Sequence, residues 1–265
     1  MNRMFLRSIC RLVFVCAISG SLFAQSSEDA LRARLLNKPL DLRGLWQYDK
    51  LHFDSGGKLL GKPHELPFTL CGINVTGVTL KPTGLVLEGQ RVGLLFEKLG
   101  PTRIVLPNAR TPERMHLEID APANKDYTAA LDAIFADDLP PLVPILPPEW
   151  QRFAGKFLLK DSEQPPPLEG VRQVGGGVSP PRLLSSVDPG YNNYARAAKV
   201  SGISTINLIV DEHGRPTHLS VVRPLGVGLD EQALAAVRQY TFSPAMFGGK
   251  PVAVAMNVEV NFQIF

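Results

Sequence analysis

The sequence predicts an α+β protein: a β-rich N-terminal domain, either a sandwich or an open barrel, followed by a small C-terminal α+β domain. Three observations predict it. Residues 40–122 hold many short apolar runs separated by turns containing Gly or Pro, the pattern of short strands that fold back on one another. Prolines then crowd together, with ten of the 23 inside residues 140–181. Beyond them the apolar spacing reads helix, β hairpin, helix, strand. The expected division is a leader over 1–24, a short helix over 25–39, the β-rich domain over 40–138, a proline-rich linker with one packed segment over 139–174, and the C-terminal domain over 175–265.

The leader takes its form from three parts. Met1 to Arg11 is short and basic, Leu12 to Ala24 is uncharged and mostly apolar, and Ser21-Leu22-Phe23-Ala24 precedes Gln25. This is the layout of a secretory signal peptide. A 13-residue helix spans about 20 Å, short of the roughly 30 Å hydrocarbon core of a bilayer. Cleavage and export across the membrane are therefore expected; retention as a membrane anchor is the other outcome. The leader also explains the charge. The chain has 28 Lys+Arg and 25 Asp+Glu, and loss of Arg3, Arg7 and Arg11 leaves the two balanced. A neutral chain lacks the cationic surplus that nucleic-acid binding needs, while 45% hydrophobic residues suffice for packed cores.

Ser26-Ser27-Glu28-Asp29 reads as a capped helix start, with Leu31, Leu35 and Leu36 on one face and Pro39 as its stop. Strands are expected within 45–53, over 73–80, 85–87, 92–96, 103–106 and 115–119, with Glu88-Gly89-Gln90-Arg91 between the third and fourth. Tyr127, Leu131 and Phe135 have helical spacing over 126–135. Five of the nine residues from Pro140 to Pro148 are proline, which favours an extended, semi-rigid spacer. Trp150, Phe153, Phe157 and Leu158 interrupt it and are expected to pack on the β-rich domain.

In the last third, residues 192–199 form a short helix. Residues 204–211 form a strand with Ile206, Leu208 and Val210 on one face and Ile209 on the other. Glu212-His213-Gly214-Arg215 turns the chain into a partner strand over 217–222. Leu234, Val237 and Tyr240 mark the next helix. A final strand runs over 252–265, where Val258, Val260 and Phe262 alternate with Asn257, Glu259 and Asn261.

No metal, cofactor or catalytic site is expected. His116, Glu118 and Asp120 share a strand face, as do His52 and Asp54, but polar residues two apart on a strand usually form its wet face. His64-Glu65 lacks the HExxH pattern, no GxSxG elbow is present, and Gly175 to Gly177 lacks the Lys-Ser/Thr of a phosphate loop. His213 and His218 fall in or beside the hairpin turn and are expected to face solvent. Cys71 is the only cysteine after the leader; it has no internal disulfide partner and is expected to be a buried small hydrophobe.

The C-terminal residues resemble the TonB C-terminal domain family in combination and in order. Gly175 to Pro181 leads to Asp188-Pro189-Gly190-Tyr191. A short helix ends at Gly202 and is followed by Val210-Asp211-Glu212-His213-Gly214-Arg215. Then come Leu229 to Val237, Tyr240-Thr241-Phe242-Ser243-Pro244-Ala245, Gly249-Lys250-Pro251-Val252 and the alternating strand to Phe262. The resemblance covers about a third of the chain. It implies a periplasmic module that binds TonB-dependent outer-membrane receptors; the best-known members carry energy from the inner-membrane proton gradient for transport. Two features depart from the family pattern: Leu12 to Ala24 contains no histidine, and Tyr191 is followed by Asn192 where Tyr-Pro is common.

An exposed sheet edge can accept an extended partner segment through backbone hydrogen bonds. The expected edge is the last strand, at Asn257, Val258, Glu259, Val260, Asn261 and Phe262. The same edge could pair with a second copy, so a homodimer is a further expectation. The rival function is an envelope scaffold or ligand-binding protein whose β-rich domain carries the activity.

Overall fold

The computed structural model describes residues 28–44, 46, 49–62, 69–97, 100–106, 114–159 and 168–264. The leader over 1–24, with its two cysteines, and His64-Glu65 lie outside the described residues. Among those described, no helix is long and apolar enough to cross a membrane.

Helix α1 covers residues 28–35 and buries Leu35. Then come β1 (Pro39–Leu42), β2 (Lys50–Phe53), β3 (Cys71–Lys81), β4 (Gly84–Glu97), β5 (Gly100–Val105), β6 (Met115–Asp120), helix α2 (Thr128–Ile134) and β7 (Phe135–Ala136). The seven strands form one sheet, ordered β2-β6-β4-β3-β1-β7, with β5 on β4. The first and last strands of that order do not meet, so the sheet is open. Only β2 and β6 run parallel. Lys81-Pro82-Thr83-Gly84 turns β3 into β4, with Leu80 paired to Leu85.

The expected interruption at Glu88 to Arg91 is absent: β4 is one strand of 14 residues. Two features keep it continuous, although β3 takes up a register shift between Val75 and Gly77 opposite them. A side chain at Gly89 would put its Cβ 2.4 Å from the Asn74 carbonyl oxygen, so a glycine permits close pairing there rather than marking a turn. Arg91 is buried and ion-paired with Asp49 (3.3 Å), so its polarity is met inside the fold instead of in a loop.

The proline-rich stretch also differs from expectation. Residues Pro140–Ile145 form a 3-10 helix that buries Leu142 and Val143. Helix α3 (Pro148–Phe153) follows, continued by a π-helical turn over Ala154–Leu158. Proline suits the first turn of a helix because its missing N–H has no partner there, and the intervening Leu and Val bind the segment to the core. It is a packed element, not an extended spacer. Trp150 and Phe153 lie against Phe96 of β4, with ring centroids 6.2 and 5.2 Å away.

The C-terminal region comprises β8 (Arg182–Ser185), α4 (Asn193–Ala197), β9 (Gly202–Val210), β10 (Pro216–Arg223), α5 (Leu229–Val237), β11 (Thr241–Ser243), β12 (Ala245–Phe247), β13 (Lys250–Val252) and β14 (Val254–Phe262). Asn192 caps α4 by accepting from the Ala195 N–H (2.8 Å), which satisfies a donor the helix leaves open. Strands β10, β9 and β14 make an antiparallel sheet in that order. Ile206, Leu208 and Val210 are fully buried on its inner face with Val260 and Phe262. The expected strand over 252–265 is split at Ala253 and ends at Phe262. The short strands β8, β11 and β12 and most of β13 went unforeseen, as did β1 and β7 in the first sheet.

Most buried side chains of both regions form one core, while Val178, Ala245 and Val254 form a small cluster of their own. Backbone bonds join them as well: Phe96 N–H donates to the Leu225 carbonyl (2.9 Å) and Val227 N–H to the Leu94 carbonyl (3.1 Å). The loop before α5 thus takes the place beside β4 that β3 vacates at Cys71.

Candidate functional site: the open edge of the C-terminal sheet

Strand β14 pairs with β9 in unbroken register from Val254↔Val210 to Phe262↔Gly202. Among the described residues its other side meets one short contact. Arg172 N–H donates to the Ala253 carbonyl (2.9 Å), and Ala255 N–H donates to the Arg172 carbonyl (3.4 Å). These bonds fix the direction of every backbone group along the strand. The polar groups of Ala253 and Ala255 point away from β9, and successive strand residues alternate. The N–H and C=O groups of Asn257, Glu259 and Asn261 therefore point outward, while those of Val258, Val260 and Phe262 face β9.

All six residues expected at the edge lie on this strand. Asn257, Glu259 and Asn261 are exposed, whereas Val260 and Phe262 are buried. Phe262 packs edge-on against Tyr191 at 5.5 Å. Val260 and Phe262 are core, each worth roughly 2 kcal/mol when fully buried, and Val258 is half-buried against that core. Their burial fixes the strand, and beyond the Arg172 contact its outer backbone stays open among the described residues. At the far side of the sheet, β10 carries helix α3 against it.

The support beneath the edge includes a buried carboxylate that sequence reasoning missed. Asp230, in the first turn of α5, accepts from the Ser204 hydroxyl (2.6 Å), the Leu225 N–H (2.8 Å) and the Gly226 N–H (2.7 Å). It ties α5 to β9 and to the loop that docks on β4. Burial pushes its carboxyl up, against these three donors. The next residue, Glu231, accepts from the Thr69 N–H (2.9 Å) of the N-terminal region. Its Oε2 is buried with no hydrogen-bond partner among the described residues. Burial first, and then the neighbouring Asp230 charge, push the Glu231 carboxyl up to about 7. Two adjacent acids at a helix start signal a favourable dipole contact; that both turn inward follows from the docking, which the pattern does not show.

The other titratable groups do not assemble into a site. His52 Nε2 meets Asp120 (2.8 Å) across the sheet rather than Asp54, whose carboxylate accepts from Gly56 and Lys58 N–H groups in a turn. Among the described residues no cluster of three or more His, Cys, Asp or Glu side chains could hold a metal ion. His213 and His218 are exposed. Cys71 is buried, and burial pushes its thiol up to about 11 despite Arg91 nearby, so it is inert as a nucleophile at neutral pH.

Comparison with known proteins finds a family match in the same region. Residues 187–264 match the family described as the Gram-negative bacterial TonB protein C-terminal. The C-terminal region of this chain belongs to that family. A stretch of 89 residues is 30% identical to Protein TonB of Vibrio cholerae serotype O1 (strain ATCC 39315 / El Tor Inaba N16961), covering 33% of this chain and 36% of that protein. The chain thus spans about a third of the length of the relative it matches. The solution NMR structure of the Pseudomonas aeruginosa TonB CTD matches 35% of this chain and 93% of its own, at 22% identity and a TM-score of 0.28.

Proposed function

We propose that this chain is a TonB-like protein of the periplasm that binds outer-membrane transport receptors, accepting an extended receptor segment along the outer edge of β14. One observation carries the reading. A strand of the TonB-family region presents outward backbone groups at Asn257, Glu259 and Asn261, while its inward groups and apolar side chains are used by the fold. Main-chain pairing of this kind supplies affinity without a charged partner surface, in keeping with the near balance of acidic and basic residues. The protein acts by binding, not by catalysis. If the leader stays in the inner membrane, the same contact transmits energy to the receptor; if it is cleaved after Ala24, the protein binds without pulling.

The test uses the full chain, because the two regions share a core. Purified protein is mixed with synthetic peptides taken from the periplasm-facing N-termini of outer-membrane transport receptors, and binding is read by calorimetry. Binding that disappears in Glu259→Pro, with thermal unfolding intact, supports the reading. Binding that survives Glu259→Pro contradicts it. Sequencing the mature N-terminus decides between anchored and released forms.

A further inference from the structure

An open groove of ≈ 1450 Å³ lies over the outward face of the β10-β9-β14 sheet, walled by α3 and its π-helical turn and by residues on both sides of Arg172. Val171 and Gln173 line it, while Arg172 turns the other way and stacks on Phe247 (4.3 Å). The chain's own segment thus shows how a strand on this edge divides its side chains: every second one faces the groove. A strand that follows on beside Asn257, Glu259 and Asn261 alternates in the same way.

The groove has a polarity along that path. Arg152 of α3 donates to Asn207 Oδ1 (2.6 Å), and Asn207 Nδ2 donates to Asn257 Oδ1 (2.7 Å). A guanidinium therefore stands two hydrogen bonds from the edge strand. Lys156 lies one turn on, over the Phe157 ring (5.3 Å). The groove's single carboxylate, Glu149, is engaged by Arg238, so Arg152 and Lys156 meet no anion among the groove residues. Two positions beyond Asn257, the exposed Glu259 carries the opposite charge.

We propose that this groove selects the partner: it takes alternate side chains of an extended peptide paired to β14, favouring an acidic residue beside Asn257 and a basic or neutral one, two residues on, beside Glu259. The inference rests on the strand-addition reading above and adds a specificity that the backbone cannot supply. The helical segment from the N-terminal region, outside the family match, would then set which receptor sequences bind.

The experiment is selection from a random dodecapeptide library displayed on phage, with the full chain as bait. In parallel the double variant Arg152→Glu, Lys156→Glu and the single variant Glu259→Lys are used. The expected result is enrichment of peptides with an acid near one end. That preference is lost or reversed on the double variant, and the other end turns acidic on Glu259→Lys. For one selected peptide, Kd should weaken roughly fivefold on the double variant, the scale of exposed charge pairs. Enriched peptides without a charge preference, or with the same preference on all three baits, overturn this inference and leave strand addition standing. No enrichment on any bait overturns both. Self-association of the full chain that the groove variants abolish assigns the groove to a second copy and overturns the inference. Glu259→Lys changes only an exposed side chain, so it keeps the test decisive if the double variant fails to fold.

Discussion

Single residues hold the C-terminal region to the sheet beneath it. Gly226 has φ +99°, and a Cβ there would lie 1.9 Å from the Leu94 carbonyl oxygen. Gly226→Ala combines a disfavoured backbone with a backbone clash and should destabilise the protein by about 3 kcal/mol, read as a lower urea midpoint. A midpoint unchanged from the native chain would show that the loop does not dock on β4. Asp230→Ala removes the acceptor of a hydroxyl and two buried N–H groups. The expected loss is about 4 kcal/mol, with Ser204→Ala costing less because the two backbone donors keep their partner. Gly226 and Asp230 were legible in the sequence only as turn and helix-start residues. The reason is physical: Gly226 meets Leu94, far away in the chain, and Asp230 turns back onto Ser204 and its own preceding loop, and local apolar spacing carries no trace of either.

At the level of elements, β14 makes a prediction that depends on parity. Proline at 259 removes an N–H that points outward and leaves the ladder to β9 intact, a placement edge strands tolerate. Proline at 260 removes an N–H that β9 uses. Glu259→Pro should cost within about 1 kcal/mol of stability and abolish peptide binding, while Val260→Pro should cost about 3 kcal/mol or more. Equal effects of the two would refute the assigned direction of the backbone. This strand was readable in advance because Val258, Val260 and Phe262 alternate with polar residues over a long run. So was the β9–β10 hairpin, whose Gly214 turn sits between two alternating strands. The proline-rich segment over 140–148 was misread because composition records the prolines' stiffness and not the burial of Leu142 and Val143 between them; the packing of Trp150 after them was legible. The four-residue β8 and three-residue β11 are too short to show a period at all.

For the whole molecule, the shared core means that the two regions should melt in a single cooperative transition by calorimetry; two separated transitions would contradict it. The junction should also respond to pH through Glu231. The unfolded chain ionises this residue around its ordinary value of 4.5, whereas the folded protein keeps the proton up to about 7. Stability should therefore fall as pH rises from about 4.5 to about 7 and then level off, because the unfolded state releases its proton first. Glu231→Gln should flatten that limb of the urea-unfolding profile; an unchanged slope would remove Glu231 as its source. A junction of this strength makes the α3 segment a fixed wall across the sheet face from the open edge rather than a mobile linker, which strand addition with sequence selection requires. The most direct measurement is residue-resolved amide hydrogen exchange of the full chain, with and without a receptor peptide. The predicted result is new protection at the outward amides of Asn257, Glu259 and Asn261, with those of Val258, Val260 and Phe262 already slow in the free protein. Protection that leaves the three outward amides exchanging at their free rates, while the peptide is bound, would contradict binding at this edge.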